Sequence, residues 1–387
     1  MSKIPKPTGP FQVGSTDIVS SYGKERCLFR LFYPTRLAAG SSGSSVWLPD
    51  SQYAYGFMDY SGAGWLTCLA KSILRSARIP AALDADLDLP EGLDKLPVIV
   101  FSHGLAGYRT CYSTICTELA SHGMAVASLE HGDGSAAAAC YFKESPSEDG
   151  HIMKKYMGFQ KVKSDDPEIH EIRNTQLYSR TSDCSAALDL LTKVNNGNFE
   201  GIRNQVDILK FKGKLDMNKC AVVGHSFGGA TAAASISKDS RFCAAACLDL
   251  WAFPLDDDVF ANIPPTRPIL FINSETFHWP SNMAKIERIL NANKEGKSRM
   301  LTLLGSVHQS QSDFSLVVDI ACLAKAFGLR GPGDPLAVAQ VGNKILVAFL
   351  GTHFCLSFGK NVDVLVEENT HIVMRGTNIV SNAEVQE

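Results

Sequence analysis

Short unbroken apolar runs recur along this chain, and longer helical patterns separate them. Residues 27–33 (CLFRLFY), 97–102 (PVIVFS), 124–129 (MAVASL), 220–223 (CAVV), 243–248 (CAAACL), 269–273 (ILFIN) and 300–304 (MLTLL) read as buried strands. Continuous runs, unlike alternating ones, suit strands covered on both faces. Between them, 112–121, 176–194, 228–236, 284–293 and 314–326 carry helical patterns. Strand alternating with helix predicts an α/β fold, a mostly parallel central sheet flanked by helices. No repeat and no linker splits the chain into two cores. One domain is therefore expected over 1–358, with a charged excursion or lid at 143–172, a flexible loop at 40–45 and a polar, partly ordered tail at 359–387.

Composition narrows the functional classes. Hydrophobic residues make up 45% of the 387 and charged residues 20%, so a large core can be buried. Thirty-seven Lys and Arg against 40 Asp and Glu give a net charge of −3, with no basic excess for nucleic acid. The eleven cysteines are odd in number, form no C-x-x-C and sit partly inside apolar runs. They read as buried free thiols of a reducing compartment, and none cluster as zinc ligands. The start, MSKIPKPTGPFQVG, has no apolar leader, and Ser2 stands where N-myristoylation needs glycine. No run reads as a membrane span, so a cytoplasmic location is expected.

One motif carries chemistry. Gly224-His225-Ser226-Phe227-Gly228-Gly229 directly follows the run at 220–223. G-x-S-x-G between strand and helix is a turn so tight that only small residues fit two places either side of the serine, and it lifts the hydroxyl to the top of the sheet. The other reading is a plain strand-to-helix turn. A nucleophilic serine needs an acid and a histidine, which follow it in that order in the α/β-hydrolase arrangement. His308 comes after the last core strand; His278, His353 and His371 are the other candidates. From strand order alone, Asp249 and Glu275 compete for the acid, and the run Asp256–Asp258 reads as a solvated loop. A glycine loop, SHGLAG, follows the strand at 97–102 and could bring the Leu105 N–H beside that of Phe227 to hold an oxyanion.

VIVFSHGLAGYRTCYSTICTELASHG, EHGDGSA, GHSFGGA, LDLWAFPL, FINSETFHW and GSVHQSQSDF together resemble the platelet-activating factor acetylhydrolase family, in its plasma-type and intracellular type II branch of serine lipases. The resemblance runs from about Thr8 to the start of the tail. It implies an α/β-hydrolase fold and calcium-independent hydrolysis of the sn-2 ester in phospholipids with acetyl or short oxidised acyl chains, with no metal or cofactor. It also implies Ser226 as nucleophile, Asp249 rather than Glu275 as acid, His308 as base, and Leu105 and Phe227 as oxyanion donors. Two departures stand out. The family usually has arginines where this chain has Gly132 and Gly134, so any ion pair they make would be missing. The type II branch often carries a myristoylation signal, which is not seen here.

Residues 64–80 (GWLTCLAKSILRSARIP) place Trp65, Leu66, Leu69, Ile73 and Leu74 at helical spacing, with Lys71, Arg75 and Arg78 beside them. Such a helix can lie in a lipid surface as a peripheral contact, or pack on the core. The resemblance favours lipid, because the plasma-type enzyme has a lipid-facing helix here. Competing functions are a general short-chain carboxylesterase, also in the manner of dienelactone hydrolases, and a catalytically silent binding protein on the same fold.

Overall fold

The computed structural model describes residues 4–20, 27–37, 43–142, 154–163, 165–202, 208–295, 297–318, 324–325, 327–356 and 359–379. In chain order the strands and first helices are β1 (Gln12–Ser20), β2 (Cys27–Thr35), β3 (Ser45–Val46), α1 (Ser51–Tyr60), α2 (Thr67–Arg75), β4 (Arg78–Ile79), β5 (Ala82–Leu83), β6 (Leu96–Ser102), α3 (Ser113–Ser121), β7 (Ala125–Leu129), β8 (Ala138–Phe142), β9 (Lys154–Gly158), α4 (Ile169–Asn195), β10 (Leu215–His225), α5 (Phe227–Lys238), β11 (Phe242–Leu248), β12 (Ile269–Ser274), β13 (Arg299–Leu303) and β14 (Val373–Arg375). Among the described residues, ten strands form one sheet in the order β14-β13-β12-β11-β10-β6-β7-β2-β1-β5. The stretch from β7 through β6 to β13 is parallel throughout, and β2 and β14 join it antiparallel.

The apolar runs work as expected. Along β6, Ile99 and Phe101 enter one core layer, with α3 and the helix Pro335–Phe354, while Val98 and Val100 enter the other, with α4 and α5. Pleating sends successive side chains to opposite faces, so a strand buried on both must be apolar at every position. The register then aligns the carboxyl ends: Ser102 pairs with Gly224, His225 with Leu248, Leu248 with Ile272, and Ser274 with Leu303. Whatever follows these strands must emerge along one edge, where open α/β sheets keep their sites.

Five expectations need correction. The tail is part of the domain. Helix Val362–Glu368 is capped by the Asn361 side chain, and β14 extends the sheet beyond β13 with Val373 buried. A boundary at 358 cuts through that unit; residues 380–387 lie outside the described residues. The excursion at 143–172 is shorter than expected. Residues 143–153 lie outside the described residues, β9 pairs antiparallel with β8, and α4 already begins at Ile169. In the loop at 40–45, Ser45 belongs to β3, which pairs with β4; residues 40–42 lie outside the described residues. The helix expected at 314–326 is described as a helix over Phe314–Val317, and residues 319–323 and 326 lie outside the described residues. One described helix, Pro335–Phe354, has the length and hydropathy of a membrane span, contrary to the sequence reading. Here its apolar side chains Ile345, Leu346, Phe349 and Leu350 are buried in the core layer beside α3.

Candidate active site

Ser226 stands between β10 and α5 with φ +60° and ψ −117°. That backbone is costly for a side-chain-bearing residue and persists only where its surroundings enforce it. The two flanking glycines show how. A Cβ at Gly224 would lie 2.0 Å from the Gly228 carbonyl oxygen, and one at Gly228 would lie 2.0 Å from that of Ser102. Ala106 (φ +57°) and Asp249 (φ +49°) are also in the left-handed region, so three non-glycine residues around one cleft share this strain.

The aligned strand ends bring the three expected side chains together. His308 Nε2 lies 2.9 Å from Ser226 Oγ, and His308 Nδ1 lies 2.7 Å from Asp249 Oδ2. Asp249 is fully buried and accepts hydrogen bonds from the Ser274 N–H and hydroxyl, both at 2.6 Å. Burial pushes its pKa up, but the His278 and His308 imidazoles beside it outweigh burial and hold it well below the usual carboxylate range. An ionised Asp249 accepts the Nδ1–H of His308, which leaves Nε2 free to accept the serine proton. Phe277 stacks on the His308 ring at 3.7 Å and fixes its plane.

Glu275, the competing acid, is engaged elsewhere: it accepts the Gly305 N–H and so ties down the loop that carries His308. His353 lies on the helix Pro335–Phe354, and His371 comes just before β14; neither lines the cleft. His278 is near the triad in an unforeseen way. Its Nε2 sits 3.0 Å from Asp249 Oδ1, without the alignment of a full hydrogen bond. Asn282 Nδ2 donates to its Nδ1, which leaves the proton on Nε2, facing the carboxylate.

Leu105 lines the cleft and Phe227 directly follows Ser226; among the described residues neither N–H has a protein acceptor. Their placement depends on residues that sequence reasoning missed. Arg180, fully buried on α4, donates to the His103 carbonyl at 2.5 Å, to Asp133 Oδ2 at 3.1 Å and to Ser135 Oγ at 2.6 Å. Its guanidinium also lies 4.4 Å over the Phe227 ring. It therefore touches the loop that carries Leu105 as well as the ring of Phe227, and it forms an ion pair with Asp133. Tyr112 OH accepts the Gly104 N–H and donates to His225 Nδ1, so His225 Nε2–H donates to the His308 carbonyl. Burial, with His308 alongside, pushes the His225 pKa down to about 3, so this imidazole stays neutral beside the base.

Among the described residues, His225, Asp249 and His308 are also the group close enough to share a metal ion. Their nitrogens and the carboxylate are already engaged with Tyr112, Ser226, Ser274, the His308 carbonyl and each other, so they form a hydrogen-bond relay and not an open ligand set. The cleft has a volume of about 230 Å³ and is lined by Tyr60, Trp251 and Phe277 besides the polar groups.

The five expected lipid-interface residues do not share one environment. Trp65 is 83% exposed and Leu69 half exposed, Leu66 and Ile73 are half-buried, and Leu74 is buried in the core. Leu74 is thereby withdrawn from a lipid surface, because the last turn of α2 packs inward.

Over residues 1–369 the chain matches the family described as platelet-activating factor acetylhydrolase, isoform II. The platelet-activating factor acetylhydrolase of Canis lupus familiaris is 39% identical over 98% of this chain and 83% of its own. That of Gallus gallus is 35% identical over 97% and 90%. A ferulic acid esterase from Streptomyces cinnamoneus superposes with a TM-score of 0.65 over 96% of this chain and 98% of its own; at 18% identity it bears on the fold alone. With a full-length family match and relatives well above 30% identity, the chain belongs to the platelet-activating factor acetylhydrolase, isoform II, family.

Proposed function

We propose that this protein hydrolyses the sn-2 acetyl or short acyl ester of phospholipids such as platelet-activating factor, by serine catalysis without calcium. The observation that carries this reading is the continuous relay Ser226–His308–Asp249, next in chain to the Phe227 N–H, which like that of Leu105 has no protein acceptor among the described residues. The names of the relatives supply the substrate class.

Ser226 Oγ attacks the acyl carbonyl while His308 Nε2 takes its proton, and Asp249 stabilises the imidazolium that forms. The N–H groups of Leu105 and Phe227 receive the developing oxyanion; each such donor is commonly worth about 3 kcal/mol in the transition state. Collapse breaks the bond to the glycerol oxygen, to which His308 returns the proton, and the lysophospholipid leaves. Water, deprotonated by His308, then cleaves the acyl-enzyme and releases the short acid. A neutral His225 spares the imidazolium a second positive charge at close range.

Peripheral lipid contact through the rim around α1 and α2 belongs to the same proposal. Tyr55, Tyr60, Trp65 and Leu69 are exposed together there, and Lys71, Arg75 and Arg78 lie on or beside α2.

The test is turnover of a phosphatidylcholine series with increasing sn-2 length, with and without excess chelator. Short chains should be cleaved at the same rate in both conditions. Activity lost on chelation and restored by calcium would defeat the mechanism, and a preference for long chains would defeat the substrate assignment.

A further inference from the structure

A second cavity of about 250 Å³ lies under α1 and α2. It shares Tyr60, Leu105, Tyr112 and Gln309 with the serine cleft, so the two lie side by side. Its own walls are apolar: Phe57 from α1, Leu66, Leu69 and Ile73 from the α2 segment, and Phe314, which stacks on Phe57 at 4.5 Å. Leu69 and Phe327 of its lining are about half exposed, so it opens to solvent on one side. With few polar groups to hold water, it suits an apolar occupant.

Resting on the serine-esterase reading above, we infer that this cavity holds the acyl chain attached to the carbonyl under attack, and that α2 sets the chain length accepted. Leu105 links the two spaces. Its N–H is the proposed oxyanion donor, and the residue is also a wall of the cavity. An acyl carbonyl held at that N–H therefore has its chain beside the cavity mouth. The glycerol side of the ester is left the part of the cleft lined by Trp251 and Phe277. A space of about 250 Å³ suits a short or medium-length chain and not a full membrane lipid chain. The pattern of α2 then has a physical meaning. Leu69, Ala70, Ile73 and Leu74 face the cavity, and Lys71 and Arg75 lie off that stripe.

The experiment measures kcat/KM of the full chain on soluble nitrophenyl esters from acetate to dodecanoate, which carry an acyl chain but no headgroup or second chain. The expected profile rises by up to about fourfold per added methylene until the cavity is full, then falls. Ile73→Phe and Leu69→Phe should move the optimum to shorter chains and lower the octanoate-to-acetate ratio more than tenfold. Ile73→Ala should move the optimum to longer ones. A companion series varies the sn-1 alkyl length of monomeric 2-acetyl phospholipids. If the variants respond to sn-1 length and not to acyl length, the occupant is wrongly assigned. An optimum that none of the three variants moves overturns the proposal. Wild-type protein that hydrolyses acetate with a flat length profile defeats only this inference, whereas wild-type protein inert on every ester defeats the esterase reading.

Discussion

The floor of the cleft and its apolar wall solve different physical problems. On the floor, Ser226, His225, Asp249 and His278 are each less than a tenth exposed, and their polar atoms face defined partners at strand ends. On the wall, α1 and α2 present apolar side chains, from buried Leu74 to half-exposed Leu69, to an apolar cavity. A buried polar relay tolerates little change, because any group left unpaired costs its full desolvation. An apolar wall can change shape for about the transfer cost of the atoms moved. The proposed chemistry thus lies among buried, partnered polar groups, and the proposed chain selection on an apolar wall that can change shape.

The sharpest way to break this contrast is on the floor. Ser226→Ala should leave the fold intact and lower turnover by several orders of magnitude. Asp249→Asn should cost about 10⁴ in kcat by presenting the wrong imidazole tautomer, and Glu275→Gln far less. The opposite ranking would return the acid to Glu275.

One step out, Arg180→Lys keeps a charge beside Asp133 but loses the fork that reaches His103 and Ser135. Since an oxyanion donor is worth 10²–10³ in kcat, loosening that loop should cost up to about 10², with KM much less affected. A lower melting temperature with kcat unchanged would make Arg180 a structural residue only. His278→Leu should cost less, about tenfold in kcat, because Asp249 keeps both Ser274 donors. The smallest effect belongs to the wall. Trp65→Ser should weaken vesicle co-sedimentation about tenfold and leave hydrolysis of a soluble aryl acetate within about twofold. If both fall together with the melting temperature, the helix serves the core and not the lipid surface.

What could be read from sequence follows the same division. The serine elbow is legible because strand, turn and helix are contiguous, and Gly224 and Gly228 answer to contacts within that unit and its neighbouring strand. Asp249 is ambiguous in one dimension, since both it and Glu275 end adjacent strands; only the contacts separate them, His308 meeting Asp249 while Glu275 accepts the Gly305 N–H. Arg180 gives no local signal. Its meaning lies in contacts with residues 103, 133, 135 and 227, far apart in sequence. In α2 the amphipathic spacing is visible, but an apolar stripe looks the same whether it faces lipid, core or cavity, and here it meets more than one. β14 is three residues long with one fully buried side chain, too little pattern to distinguish it from a polar tail.

The most direct test of the central claim is to label the protein with an organophosphate ester, digest it and locate the adduct by mass spectrometry, with and without chelator. The account expects one adduct, on Ser226, formed equally in both conditions and absent from Ser226→Ala. An adduct on another residue, or labelling that disappears with chelator and returns with calcium, would contradict it.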